Sequence, residues 1–398
     1  MENRTGLFTN MIIWFGVAIS VSEIQAGIQI ASAAPINSIW VPLILGHVIG
    51  GILLYFVGLI GARLRVNAME SIKSTFGNFG SKFFATLNVL QLIAWVAVLN
   101  AQGALALMGL NIPISFALTC IILAIFIAIW VYIGLRRTSK ITSIIMMILT
   151  VLLVILSVRL LGMNGHHLKP VTNSVALTFW NIFEISIAMP ISWLPVISDY
   201  TKDAENPKKA TALSALAYTV ASLWMYFIGI EVVCMGTIDI SQAILISGLG
   251  VQGVIILVLS TVTTNFLATN SAGESAKAIF NRLNPKIAGV VVSFLSAILA
   301  ISGIMDHYIS FLYLISSVFA PMASVLVVSF YFGNGSNEAK DWYWNVFSWF
   351  VGFVLYQVTS GFDSIFLGPT LISVIVSAAL AYAWILVKRK KFQANNQQ

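Results

Sequence analysis

Few residues in this sequence could do chemistry, and most of those sit inside long apolar runs. The first run reads WFGVAISVSEIQAGIQ from Trp14 and places Glu23 and Gln25 among small residues. A second, EISIAMPISWLPVISDYTK from Glu184, carries Pro190 and Pro195 five residues apart, with Ser192 and Trp193 between them. A third, STVTTNFLATNSAGES from Ser260, spaces Ser260, Thr263 and Thr264 at i, i+3 and i+4, so their oxygens share one helical face. Asn265 and Thr269 form a second i, i+4 pair. Neutral oxygens at that spacing suit either a hard monovalent cation or hydrogen bonds between helices. A charged Glu23 at bilayer depth costs about 3 kcal/mol on insertion scales, which makes it a functional candidate; a carboxyl hydrogen-bonded inside the bundle is the plainer reading.

The other chemistry-bearing residues point nowhere sharp. HExxH, GxSxG and a Walker loop are all absent. The expectation is therefore not an enzyme, and energy is drawn from an ion gradient because no phosphate-binding loop exists to use ATP. His47 lies in a small-residue face, GHVIGG, and reads as a packed histidine. His166 and His167 are adjacent but have no acidic or thiol partner nearby, a weak metal signal. Cys120 and Cys234 both sit in apolar runs and read as small hydrophobes, not a disulfide framework.

The elements that must position these residues follow from composition. Of 398 residues, 59% are apolar and only 9% charged, against roughly 25% charged in soluble domains. Mean hydropathy is +0.94. A soluble enzyme, a disordered chain and a nucleic-acid binder are excluded. The apolar stretches are continuous and not alternating, which excludes an outer-membrane barrel. An all-α integral membrane protein remains, and windows of roughly 20 residues predict about twelve spans: 8–34, 38–62, 83–110, 114–135, 139–162, 174–198, 210–235, 250–276, 285–305, 307–332, 343–361 and 366–388. Residues 66–82 read as an interfacial amphipathic segment, and 239–247 as too short to span. The tail after Lys391 reads as disordered. The first run exceeds any signal-peptide core, so no cleaved leader is expected.

With both termini placed in the cytoplasm, nineteen of the twenty-one Lys and Arg fall inside, leaving only Arg159 and Lys169 outside. The asymmetry predicts an even span count and explains the net charge of +7 as orientation. The expected location is a bacterial-type cytoplasmic (inner) membrane, crossed many times. The partners are the lipid bilayer and a small molecule, with no nucleic acid and no obligate protein.

WFGVAISVSEI in span 1, the proline-bearing span 6 ending in ISDYTK, TVTTN in span 8 and FLYLISSVFAPM in span 10 resemble the nucleobase:cation symporter-1 family, which includes cytosine permease and hydantoin transporters. The AIS-x-x-E-I, AMPISWLP and FAPM stretches look most like the hydroxymethylpyrimidine transporters of CytX type. The resemblance covers essentially the whole chain. It implies a leucine-transporter (LeuT) fold: a 5+5 inverted repeat over 8–162 and 174–332, with spans 1 and 6 discontinuous, and two peripheral helices over 343–388. It further implies a sodium site built from carbonyls of Gly16, Ile19 and Ser260 and hydroxyls of Thr263 and Thr264. For substrate it implies a flat heterocycle stacked on Trp95, with Ser20, Ser192, Asn265 and Thr269 as polar contacts. The family's second stacking aromatic falls on Pro190 here, with Trp193 nearly one turn on. Its polar residue one turn after the tryptophan falls on Leu99, next to Asn100.

The function this implies is a secondary symporter importing an aminopyrimidine, hydroxymethylpyrimidine (a thiamin precursor), coupled to Na⁺ by alternating access and without cofactors. Glu23 is expected to accept from the exocyclic amine. A cytosine or other nucleobase permease, coupled to protons through Glu23, is the alternative. A channel or receptor is disfavoured because polarity concentrates at the breaks in spans 1 and 6 and on span 8.

Overall fold

The computed structural model describes residues 4–109, 113–162, 177–333, 342–362 and 366–395. His166, His167 and Lys169 lie outside the described residues. Helices dominate throughout, and Thr5 and Ala204 form an isolated β-bridge.

The first expected span is two helices, α1 (Leu7–Ala18) and α2 (Val21–Ala33), bent by 49°. The break has a local cause. Ile19 adopts ψ 85° and Ser20 is extended, and the Ser20 hydroxyl caps α2 by accepting from Glu23 N at 3.3 Å. α3 (Ile36–Leu64) follows, then α4 (Ala68–Gly109), interrupted at Gly77, whose φ of 68° and ψ of −173° only glycine adopts readily. The expected interfacial segment is thus a helical first part of α4, with Met69, Ile72 and Phe76 buried. α5 (Phe116–Ile133) and α6 (Leu135–Gly162) complete the first half.

The sixth span is also broken, into α7 (Phe179–Ser192) and α8 (Ile197–Thr201), but not where the prolines alone predict. Pro190 lies inside α7; the chain leaves the helix only over 193–196, around Pro195. The Pro190 ring packs closely on α3, which has no side chain opposite it: a methyl group on Gly50 would come 2.2 Å from Pro190 Cγ. The same glycine face seats Ser186 against Gly46 and Ile197 against Gly58. α9 (Pro207–Cys234), the short α10 (Ile240–Ile246), α11 (Gly250–Ile279), α12 (Pro285–Ile301), α13 (Tyr308–Phe332), α14 (Trp342–Thr359) and α15 (Pro369–Asn395) complete the chain. The last of these carries helix past Lys391, into the expected tail.

Among the described residues, eight helices are each long and apolar enough to cross a membrane, and the bent α1–α2 pair makes a ninth. The other three expected spans correspond to the α7–α8 pair, the 17-residue α12 and the 18-residue α14. α1 and α2 pack along α9, α3 along α7 and α9, and α4 along α11 and α12. The two breaks are therefore enclosed by α3, α4, α9, α11 and α13, where irregular backbone is shielded from lipid.

Candidate functional site

The α1–α2 break faces α11. Its Ile19 carbonyl, freed from helix geometry, accepts from Ser260 Oγ at 2.9 Å and from Thr264 Oγ1 at 3.2 Å. Thr263 Oγ1 donates to Leu259 O at 2.6 Å and lies 3.3 Å from Ser260 O. Gly16 O accepts from Ile19 N at 3.3 Å, so the fifth oxygen of the expected set belongs to the same turn. Ser260, Thr263 and Thr264 are all buried. Three residues, Ile19 at the break and Ser260 and Thr264 on α11, thus converge through neutral oxygens, the donor type that suits a monovalent cation, with Thr263 on the adjacent turn. Ser260 differs from expectation in detail, since its hydroxyl, not its carbonyl, points at Ile19.

A second cluster surrounds Trp95 on α4. The indole is 6% exposed, and its N–H has no hydrogen-bond partner. One turn earlier, Gln91 Nε2 donates to Ser192 O at 3.0 Å and to Asn88 Oδ1 at 2.8 Å, tying α4 to the end of α7, while Gln91 Oε1 is buried without a partner. Aromatic neighbours come from α13: Phe311 and Tyr308 meet Trp95 edge-on, with centroids 5.3 and 6.4 Å away. Tyr308 OH donates to Ser22 O at 3.1 Å, linking this cluster to α2. On α11, Asn265 is fully buried with neither amide atom hydrogen-bonded. Unpaired buried amide and indole groups are costly unless a ligand satisfies them.

Not every expected residue joins this group. Thr269 Oγ1 donates back to Asn265 O at 2.6 Å, and a methyl on Gly289 of α12 would come 3.5 Å from Thr269 Cγ2, so Thr269 faces α12. Ser192 Oγ donates to Met189 O, leaving its carbonyl as the atom that meets Gln91. Trp193 packs edge-on against Trp14 at 6.0 Å, and Pro190 lies against α3, so neither supplies a ring beside Trp95. Asn100 donates to Cys120 O on α5 and does not replace the polar residue missing at Leu99. Glu23 turns towards α9: Oε1 accepts from Tyr218 OH at 3.0 Å and Oε2 from Ser222 Oγ at 2.7 Å. Ser20 spends its hydroxyl on the α2 cap. Gln91, Tyr308 and Phe311 were missed from sequence, although Gln91 lies four residues before Trp95, on the same helical face.

Below these clusters, at the end of the bundle that carries Lys202, Lys277 and Lys286, a cavity of about 860 Å³ opens between α5, α8, α11 and α12. Asp199, Asp203, Asn270 and Glu274 line it. Lys286 Nζ closes one wall by donating to Tyr132 O and Ile133 O at the end of α5.

Residues 1–381 match the family model described as permease for cytosine/purines, uracil, thiamine, allantoin. The chain belongs to this family. This nucleobase:cation symporter-1 membership accords with the cytosine permease of Escherichia coli (strain K12), 21% identical over 332 residues, covering 82% of this chain and 78% of that protein. A hydantoin permease of Microbacterium maritypicum is 32% identical over 106 residues, 27% of this chain and 22% of that one. Among solved structures, the inward-facing conformation of Mhp1 superimposes with a TM-score of 0.77 at 20% identity, covering 98% of this chain and 92% of that one. A Na⁺-coupled sialic acid symporter gives 0.70 at 13% identity, covering 97% and 91%. These likenesses establish an all-helical leucine-transporter-type fold. The family member described here is a multi-pass membrane transporter and not an enzyme.

Proposed function

We propose that this symporter-family member imports a flat, aminated heterocycle together with Na⁺ by alternating access, across a bacterial cytoplasmic membrane with both termini inside. The favoured substrate is hydroxymethylpyrimidine, with cytosine as the runner-up. The observation that carries the reading is the meeting of the Ile19 carbonyl with the Ser260 and Thr264 hydroxyls at the α1–α2 break. A cation bound there, with Gly16 and Thr263 completing the shell, ties α1 to α11 in one arrangement and so favours one conformation of the transporter.

The ring stacks on Trp95 between the Tyr308 and Phe311 edges. Gln91 Oε1, Asn265 and the Trp95 N–H are the unpaired groups that read its polar rim. Gln91 takes the part that Leu99 cannot. Residues 8–162 and 174–332 are the two inverted repeats, which rock around this site, and 343–388 is the peripheral pair. The cavity lined by Asp199 and Glu274 is the route to the cytoplasm. The test is uptake of labelled hydroxymethylpyrimidine and cytosine into proteoliposomes with and without an inward sodium gradient. Accumulation of either that collapses without sodium supports the reading; equal uptake with potassium removes the α1–α11 cation site and favours proton coupling.

A further inference from the structure

The carboxyl group of Glu23 is the start of a longer buried chain. Ser222 Oγ, 2.7 Å from Glu23 Oε2, is also 2.7 Å from His47 Nε2 on α3. His47 Nδ1 lies 2.6 Å from Ser186 Oγ on α7 and 3.1 Å from Leu43 O, while Ser186 Oγ donates to Leu43 O. Glu23 is 3% exposed, and His47, Ser186 and Ser222 are fully buried. The titratable groups facing the pair are Tyr218 and Tyr226 on α9 and Tyr308 on α13. Both direct partners of the carboxyl are neutral hydroxyls. An uncompensated carboxylate is costly to bury, and a bound proton or an imidazolium nearby removes that cost.

The donors can be ordered in two ways. In the first, Glu23 Oε2–H donates to Ser222 Oγ, the Ser222 hydroxyl donates to His47 Nε2, and Nδ1–H donates to Ser186 Oγ, whose own hydroxyl donates to Leu43 O. In the second, the Glu23 proton has passed to Ser222 Oγ while the Ser222 proton has passed to Nε2. One O–H bond breaks at each oxygen, one O–H and one N–H form, and a carboxylate faces an imidazolium. No charge enters or leaves the triad in this exchange, so the serine is a relay between two proton positions.

We propose that Glu23, Ser222 and His47 form a single intramembrane proton-binding site that links α2 to α3 and α9, and through Ser186 to α7. It is separate from the oxygens at Ile19, which face α11. Close approach of glycines holds it together: a methyl on Gly229 would come 2.1 Å from Ile24 O, and one on Gly27 would come 2.4 Å from Tyr226 O. Gain or loss of the proton changes a bond that joins both broken spans.

The test is infrared difference spectroscopy of the purified protein in nanodiscs, titrated over about three pH units either side of neutrality. Carrying Glu184→Gln and Asp199→Asn throughout removes the other enclosed carboxyls among the described residues. The expected result is a protonated-carboxyl band that titrates, is abolished by Glu23→Gln, and has its midpoint displaced by about one pH unit in Ser222→Ala and again in His47→Gln. A band that does not titrate, that survives Glu23→Gln, or whose midpoint ignores both relay variants overturns the proposal. If Glu23→Gln fails to fold, the Ser222 and His47 variants still decide it. The titration needs neither substrate nor sodium, so its failure is distinct from failure of the symport reading.

Discussion

Replacing Thr264 by valine removes one hydroxyl from the proposed cation shell while preserving side-chain shape. Without the ion, the loss is small. The Thr264 bond to Ile19 O is long, at 3.2 Å, and Ile19 O keeps its 2.9 Å bond from Ser260, so folding stability should fall by less than about 1 kcal/mol. With the ion, the lost contact is to a full charge, worth roughly 1.5–3 kcal/mol. At about 1.4 kcal/mol per factor of ten, the sodium concentration for half-maximal uptake should rise roughly ten- to a hundredfold. Thr264→Ser should stay within about threefold of the parent, because the hydroxyl is retained. The assay is initial uptake rate against sodium concentration in proteoliposomes, with thermal unfolding of each variant as the folding control. A folded Thr264→Val protein with an unchanged sodium curve would rule out a cation at Thr264, as would a change that serine fails to restore.

Trp95→Ala should weaken binding of the transported heterocycle roughly ten- to hundredfold, the usual worth of a base stacked on an aromatic ring, and equilibrium binding of labelled ligand measures it. Gln91→Leu removes an unpaired acceptor and the tie to Ser192 O; it should shift the preference between hydroxymethylpyrimidine and cytosine, read as the ratio of their inhibition constants, while leaving sodium dependence unchanged. Gly229→Ala forces α2 and α9 apart and should cost about 1–3 kcal/mol, seen as a lower unfolding temperature in detergent. Glu184 accepts from Thr370 N at 3.0 Å and from Tyr356 OH at 3.2 Å, docking the start of α15 on α7. Glu184→Ala should therefore destabilise by about 1–3 kcal/mol per orphaned donor, with Glu184→Gln recovering most of it by the same thermal assay.

The sequence made span number and helix type readable because hydrocarbon leaves few alternatives to continuous apolar helix. The α1–α2 break came from the family resemblance; the small residues and Ser20 show its local cause only once the structure is known. The two prolines of span 6 marked a discontinuity without saying which of them ends the helix; the break falls at 193–196, beside Pro195, and Pro190 stays inside α7. Depth in the membrane can be read from a sequence, but direction around a helix axis cannot until its neighbours are known. Ser22 and Glu23 illustrate this. They are adjacent and equally deep, yet one meets Tyr308 on α13 and the other meets Tyr218 and Ser222 on α9. Asn100 likewise turns to α5. The Ser260–Thr264 face was readable because i, i+4 spacing is enough to define it. The same spacing from Trp95 leads to Gln91, four residues back, whereas the family pattern drew attention one turn forward, to Leu99.

In the proposed mechanism, ion and heterocycle occupy neighbouring sites and cross the membrane in one cycle. Radioactive sodium entry into proteoliposomes, measured on adding the unlabelled heterocycle that supports uptake, tests it most directly. Sodium entry should depend on substrate and run in fixed proportion to substrate entry, and in Thr264→Val it should fall by half or more at sodium concentrations that just saturate the parent. Heterocycle uptake unaccompanied by any sodium movement would contradict it.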